Sequence, residues 1–173
     1  MDIFSHGIWS GIAASAINKK IKKPLNVWRA AFWGVFPDLF AFTIPFIGLF
    51  WYRAIGIDII VPSPSEAEPP AVDGLWIFRL AGFLYQYSHS LIVFLLVFAV
   101  IFLIHRKPVW EMAAWLFHIF IDIPTHSYRF YPTPFLWPVS GWKFNGFSWG
   151  EPWFIILNYS LILLAYILVR KRH

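Results

Sequence analysis

The sequence predicts an all-α integral membrane protein: a bundle of four to five transmembrane or partly inserted helices with a broken second segment. Three observations carry that prediction. The 173 residues are 59% hydrophobic and only 13% charged, where a soluble domain carries about 25% charge. The apolar residues arrive in runs near the length that crosses a hydrocarbon core, such as Ser90 to Ile104 and Pro152 to Val169. The basic residues sit in three short clusters beside those runs: Lys19, Lys20, Lys22 and Lys23; then His105, Arg106 and Lys107; then Arg170, Lys171 and Arg172. A net charge of +5 would suggest nucleic acid in a soluble protein, but bases placed this way mark membrane topology, and no nucleic-acid partner is expected. The length suits a single membrane-embedded domain over residues 1–173.

Five apolar segments follow in order, roughly 3–18, 25–55, 75–104, 108–126 and 152–169. The first is short for a span. Its Ala14-Ser15-Ala16 has the form of a signal-cleavage site, but the segment begins with Asp2 and no base, and His6, Gly7 and Ser10 interrupt it, so it is expected to be retained. The second is long enough to cross with a break, which Gly34, Pro37 and Pro45 would supply by removing amide donors and loosening the helix. The connection from Asp58 to Asp73 carries Glu66 and Glu68, no base, and Pro62, Pro64, Pro69 and Pro70, so it reads as an irregular loop. Placing the basic clusters and the C-terminus in the cytoplasm puts that loop, and the stretch 127–150, outside a cell (inner) membrane. No internal repeat is visible, which argues against repeat-built transporter folds.

The absence of cysteine excludes disulfides, zinc–thiolate and iron–sulfur sites, so any metal must be held by nitrogen and oxygen. An ionisable residue inside a spanning segment costs a few kcal/mol at least and is a functional candidate by default. His6, Asp38, His89, His118 and Asp122 are such residues. Each lies 11 to 17 residues from the nearest basic cluster on its segment. At helical rise this places all of them about 16–26 Å above the cytoplasmic edge of a core about 30 Å thick. Satisfying each histidine locally, as interhelical glue, gives no reason for a shared depth. His118 and Asp122 stand one turn apart on one helical face, a spacing that suits a common metal ion. His126 follows after another four residues, beyond Pro124, which blurs its direction. Asp38 could bridge two ions or cap a helix break. His105 and His173 are expected to be solvated.

The stretch 127–150 is rich in aromatics, among them Tyr128, Tyr131, Trp137, Trp142 and Trp149, spaced by prolines and glycines. It reads as an interfacial belt. The alternative is that it roofs the metal site, with Arg129 and Lys143 drawing in a phosphate.

Together, His6-Gly7 with Gly11, Gly34-Val35-Phe36-Pro37-Asp38, Ser88-His89-Ser90, His118-x-x-x-Asp122-x-x-Thr125 and Leu136-Trp137-Pro138 resemble, in order and rough spacing, the bacterial inner-membrane metal-dependent hydrolase family, also labelled LexA-binding hydrolases. That family is distantly similar to zinc-dependent phospholipase C and P1-type nucleases, which hold clustered zinc ions on helix-borne histidines and aspartates. The sequence departs from the pattern at Phe40 and Ala41, where the family has an aspartate and a histidine, and at Tyr85-Gln86-Tyr87-Ser88-His89, which has lost a histidine. A second ion would then need His126. The basic loops are too short to offer a soluble repressor much surface.

The resemblance implies a membrane-bound hydrolase of a phosphoester, with a lipid as one candidate substrate and one or two divalent ions, zinc by default and manganese or iron as alternatives. His6, His89, His118 and Asp122 would be ligands, Asp38 a bridging ligand or the base that orients water, and Arg129 a phosphate contact. The rival expectation is a non-catalytic membrane protein, either an ion carrier or one with a structural metal. A carrier needs polar residues at successive depths, and these share one.

Overall fold

The computed structural model describes residues 1–59 and 75–171. Most of the acidic connection read from Asp58 to Asp73, and His173, lie outside these. The described residues form six α-helices and an isolated bridge between Ser127 and Phe130. They are α1 (Ile3–Asn18), α2 (Val27–Ala54), α3 (Trp76–Ser88), α4 (Leu91–His105), α5 (Ala113–Thr125) and α6 (Pro152–Lys171), with a 3-10 turn Trp110–Met112 leading into α5.

Side-chain caps set the starts. The Asp2 carboxylate accepts the Ser5 amide at 3.0 Å and opens α1, and Asn26 does the same for Arg29 at the head of α2. Ser90 accepts the amides of both Ile92 and Val93 at 3.2 Å and opens α4. Arg106, at φ 54°, ends α4 in the left-handed conformation.

The second segment is not broken, contrary to what Gly34, Pro37 and Pro45 suggest in the sequence: α2 is one 28-residue helix with both prolines inside it. Pro37 cannot donate to the Trp33 carbonyl, and the next carbonyl, that of Gly34, takes the His118 ring at 2.7 Å, so a side chain of α5 packs against the helix where its own bonding is weakest. The break falls instead in the third segment, where α3 and α4 meet at 63°. No proline or glycine stands there. The Ser90 hydroxyl competes for the next amides, and Trp115 Nε1 donates to the Ser88 carbonyl at 2.6 Å, so side chains replace the helical bonds that continuity would have supplied.

Two helices, α2 and α6, are long and apolar enough to cross a membrane, and the bent α3–α4 pair passes the same test as one broken span. At 16 and 13 residues, α1 and α5 are shorter. The central helix is α2, packed against α1, α3 and α5, while α6 touches α1. One apolar core gathers Phe94, Met112, Trp115 and Ile119 with Trp33 and Phe36; a second gathers Ala41, Ala81, Tyr85 and Tyr131. Gly34 lets α1 and α2 approach closely, since a Cβ there would strike Ser10 and come within 2.9 Å of the His6 carbonyl. Outward, Trp28, Phe50, Leu95, Leu96 and Ile156 are all more than half exposed. Apolar surface of that extent is compatible with insertion among lipid tails.

The stretch after α5 is irregular but tied down. Gly146, Phe147 and Trp149 donate their amides to the carbonyls of His126, Pro124 and Thr125 at 2.9–3.1 Å, and so satisfy the end of α5. The Leu91 amide takes the Phe135 carbonyl at 3.0 Å, binding the same stretch to the head of α4.

Candidate metal centre

The site is assembled from α5 outward. His118 and Asp122, four residues apart on its inner face, are both wholly buried. The Gly34 carbonyl can only accept, so the His118 Nδ1 bonded to it carries the proton and Nε2 presents a lone pair to the interior. His89 arrives from the break between α3 and α4. Its Nδ1 is 2.8 Å from Ser88 Oγ, its ring stacks on Tyr85 at 3.6 Å, and its Nε2 faces His118 Nε2 at 3.0 Å. Asp38 comes from α2, one turn beyond Gly34, with Oδ1 3.5 Å from His89 Nε2 and 3.8 Å from His118 Nε2. Asp122 Oδ2 lies 3.4 Å and 3.1 Å from the same two nitrogens.

Asp38, His89, His118 and Asp122 thus form a buried group whose donor atoms all lie within 4.8 Å of one another and could hold a metal ion. Four donors set tetrahedrally about 2.0–2.1 Å from a centre stand about 3.3–3.4 Å apart. The five separations that involve a histidine, from 3.0 to 3.8 Å, bracket that value, and the two carboxylates lie within 4.8 Å of each other. The donor set of two imidazoles and two carboxylates suits a divalent ion.

The other oxygen of Asp122 looks into a second set of groups. Oδ1 is 3.0 Å from His6 Nε2 and 3.5 Å from His126 Nε2. The amino group of Met1 donates to the same oxygen and lies 2.9 Å from His126 Nε2. The His6 ring stacks on His118 at 3.6 Å. Among the described residues, His6 Nδ1 and Nε2, Asp122 Oδ2 and His126 Nδ1 are buried without a hydrogen-bond partner. Orphaned polar atoms at that density are rare in a folded interior, and the imidazole lone pairs and carboxylate oxygen among them are donors that fit a cation.

All six candidate ligands, His6, Asp38, His89, His118, Asp122 and His126, therefore gather around one carboxylate, with Asp38 and His126 slightly exposed at 7% and 6%. Arg129 stands apart: it is exposed, its amide takes Ser127 Oγ at 3.3 Å, and its side chain makes none of the contacts that define the group. His105 is exposed at the end of α4.

Several participants were not singled out from the sequence. Tyr85 supplies the face on which His89 stacks, and Thr133 sits 3.5 Å from the Tyr85 hydroxyl, so the aromatic-rich stretch does pack over this side of the group. Ser88 and the Gly34 carbonyl orient the two facing imidazoles. Both stand inside the motifs that carry Asp38 and His89. No protein-family profile, no curated protein and no solved structure matches the chain.

Proposed function

We propose that the chain is a membrane-embedded, metal-dependent hydrolase acting on a phosphoester, with a membrane lipid as first candidate. The observation that carries the metal is the convergence of four donor atoms within 4.8 Å of one another in a buried site, with the histidine separations near those of a tetrahedral ion. The hydrolytic step rests on the resemblance of the ordered motifs to the inner-membrane metal-dependent hydrolase family. A divalent ion, zinc by default, would supply Lewis acidity that acidifies water and draws charge from phosphoryl oxygens.

The chain's own residues divide the remaining work. His89, His118 and Asp122 hold the ion, and their orientation is fixed by Ser88, the Gly34 carbonyl and the α5 backbone. Asp38, the most exposed of the four, either completes the ligand set or takes a proton from the attacking water. His6 and His126, against the opposite oxygen of Asp122, are the ligands available to a second ion. Arg129, at the solvent side of the α5 end, is the candidate contact for a phosphate. In this reading α1 and α5 are also inserted, which makes five segments, with the basic clusters cytoplasmic and the site toward the outer leaflet of the inner membrane.

One observation favours a second reading. Four protein donors close a tetrahedron, as structural sites do, whereas a catalytic ion keeps a position open. Protein purified in detergent should contain metal by elemental analysis, and Asp122→Asn should lose it. Asp38→Asn then separates the readings. A hydrolase whose Asp38 handles the proton keeps its metal and loses at least about 100-fold in cleavage of a synthetic phosphodiester or phospholipid. A structural site shows no cleavage in any form and a lowered thermal midpoint in both variants. Protein without stoichiometric metal would defeat both.

A further inference from the structure

The bundle is left open along α6. That helix buries only Asn158 and Ile162, and neither lies in its last two turns. There it is pinned to α1 by two bonds, Trp9 Nε1 to Asn158 Oδ1 at 2.9 Å and Asn158 Nδ2 to Ser5 Oγ at 2.7 Å. Toward its basic end the two helices leave a groove on each side of their seam. One, of about 960 Å³, runs past Gly7, Gly11 and Ser15 of α1 and is walled by Ala31 and Tyr166. The other, of about 660 Å³, runs between Ala16 of α1 and Leu168 of α6. From Gly7 to Lys19 the first groove is about 18 Å long at helical rise, enough to take an acyl chain through the whole of one leaflet, about 15 Å deep.

Both grooves end on Lys19, with Arg170 lining the first and Lys20 the second. Lys19 and Arg170 are held in place. The Lys19 ammonium donates to the Val169 carbonyl and keeps two further N–H groups, and the Arg170 guanidinium lies 5.2 Å over the Tyr166 ring. No acidic residue occurs from 3 to 37 or from 152 to 173, so nothing on α1 or α6 neutralises this end.

We propose that the α1–α6 seam binds one diacyl anionic phospholipid, with an acyl chain in each groove and its phosphate against Lys19, Lys20 and Arg170. Two unequal apolar grooves that share a single basic mouth match the shape and charge of that molecule. The bound lipid is distinct from a substrate, because its headgroup sits at the opposite end of α1 from His6. The proposal needs the chain to lie in a bilayer but not to be a hydrolase.

The test uses the full-length protein in detergent, titrated with phosphatidylglycerol or with phosphatidylcholine of the same chains and read by native mass spectrometry. One phosphatidylglycerol should be retained per chain, at least about fivefold more tightly than phosphatidylcholine, since each nearby base contributes roughly that factor. Lys19→Gln/Lys20→Gln/Arg170→Gln should bring the two lipids level. Gly11→Leu, which fills the first groove beside Val27 and Ala31, should weaken both while leaving helicity intact. Equal retention of the two lipids by the parent protein, or an undiminished preference in the triple variant, would overturn the charged mouth. A single-chain lysophosphatidylglycerol held as tightly as the diacyl form would overturn the paired grooves.

Discussion

His118 cannot rotate without giving up the Gly34 carbonyl, and Asp122 cannot move without changing its distance to five other groups. The centre is therefore preorganised by bonds made one step away from the facing donor atoms. His89 is held more lightly: its Nδ1 has the Ser88 hydroxyl, and its ring rests on Tyr85. When His89 Nε2 holds an ion, Nδ1 carries the proton and donates it to Ser88 Oγ, which fixes the tautomer and raises the basicity of the ligand. Removing such a partner typically weakens metal affinity 10- to 100-fold. Ser88→Ala should thus release metal to a chelator at about 10-fold lower chelator concentration while the helical circular dichroism is unchanged. Metal retention equal to that of the parent protein would mean that the hydroxyl does not orient the ring.

The end of α5 depends on a chain segment twenty residues further on. Gly146 passes so close to α5 that a Cβ would strike the carbonyl oxygens of Pro124 and His126, while a Cβ at Gly141 meets nothing within 4 Å. Gly146→Ala must then either part the Gly146–His126 and Phe147–Pro124 bonds or shift His126. It should cost about 2–3 kcal/mol, in the range of substitutions that break a buried hydrogen-bonded contact, and Gly141→Ala should cost less than about 0.5 kcal/mol. Thermal unfolding of the two variants in the same detergent makes the comparison, and equal midpoints would contradict the close approach. At this scale the sequence was informative where the signal is local. The apolar runs 3–18 and 152–169 coincide with α1 and nearly with α6, because such a run ends at a basic cluster or a proline. Proline misleads about the break because it reports only the amide it lacks, whereas the packing that keeps α2 continuous, His118 against the Gly34 carbonyl among it, comes from other helices. Conversely, the break at His89 and Ser90 depends on Trp115, which no inspection of 75–104 could reveal. Histidines and aspartates inside apolar runs draw attention because they are costly there. Tyr85 and Thr133 do not, since an aromatic or a hydroxyl residue is ordinary in a membrane helix or its flank.

Across the whole molecule, the number of crossings and the direction of the chain are coupled through α5. The helices that qualify as spans by length are α2, α6 and the bent α3–α4 pair. If only these cross, Lys22 and Lys107 share a side, but 127–150 stays with them and Lys171 is carried to the other side by α6. If α5 crosses as well, 127–150 lies opposite and Lys171 returns to the side of Lys22. With its 3-10 lead-in, α5 spans residues 110–125, about 24 Å at helical rise, which is short of a core about 30 Å thick. At its far end the carbonyls of Pro124, Thr125 and His126 are paired with Phe147, Trp149 and Gly146, which removes three unsatisfied groups that lipid would otherwise face and so lets a short helix reach farther. The positive-inside rule also prefers this arrangement, because it alone gathers all three basic clusters on one side. The chain has no cysteine, so single cysteines can be placed against a silent background. In sealed right-side-out membrane vesicles, an impermeant maleimide should label Gly141→Cys, and should label Lys22→Cys and Lys171→Cys only after the vesicles are opened. Labelling of Lys171→Cys in sealed vesicles, with Gly141→Cys protected, would show that α5 turns back without crossing; the candidate metal centre would then sit on a re-entrant helix.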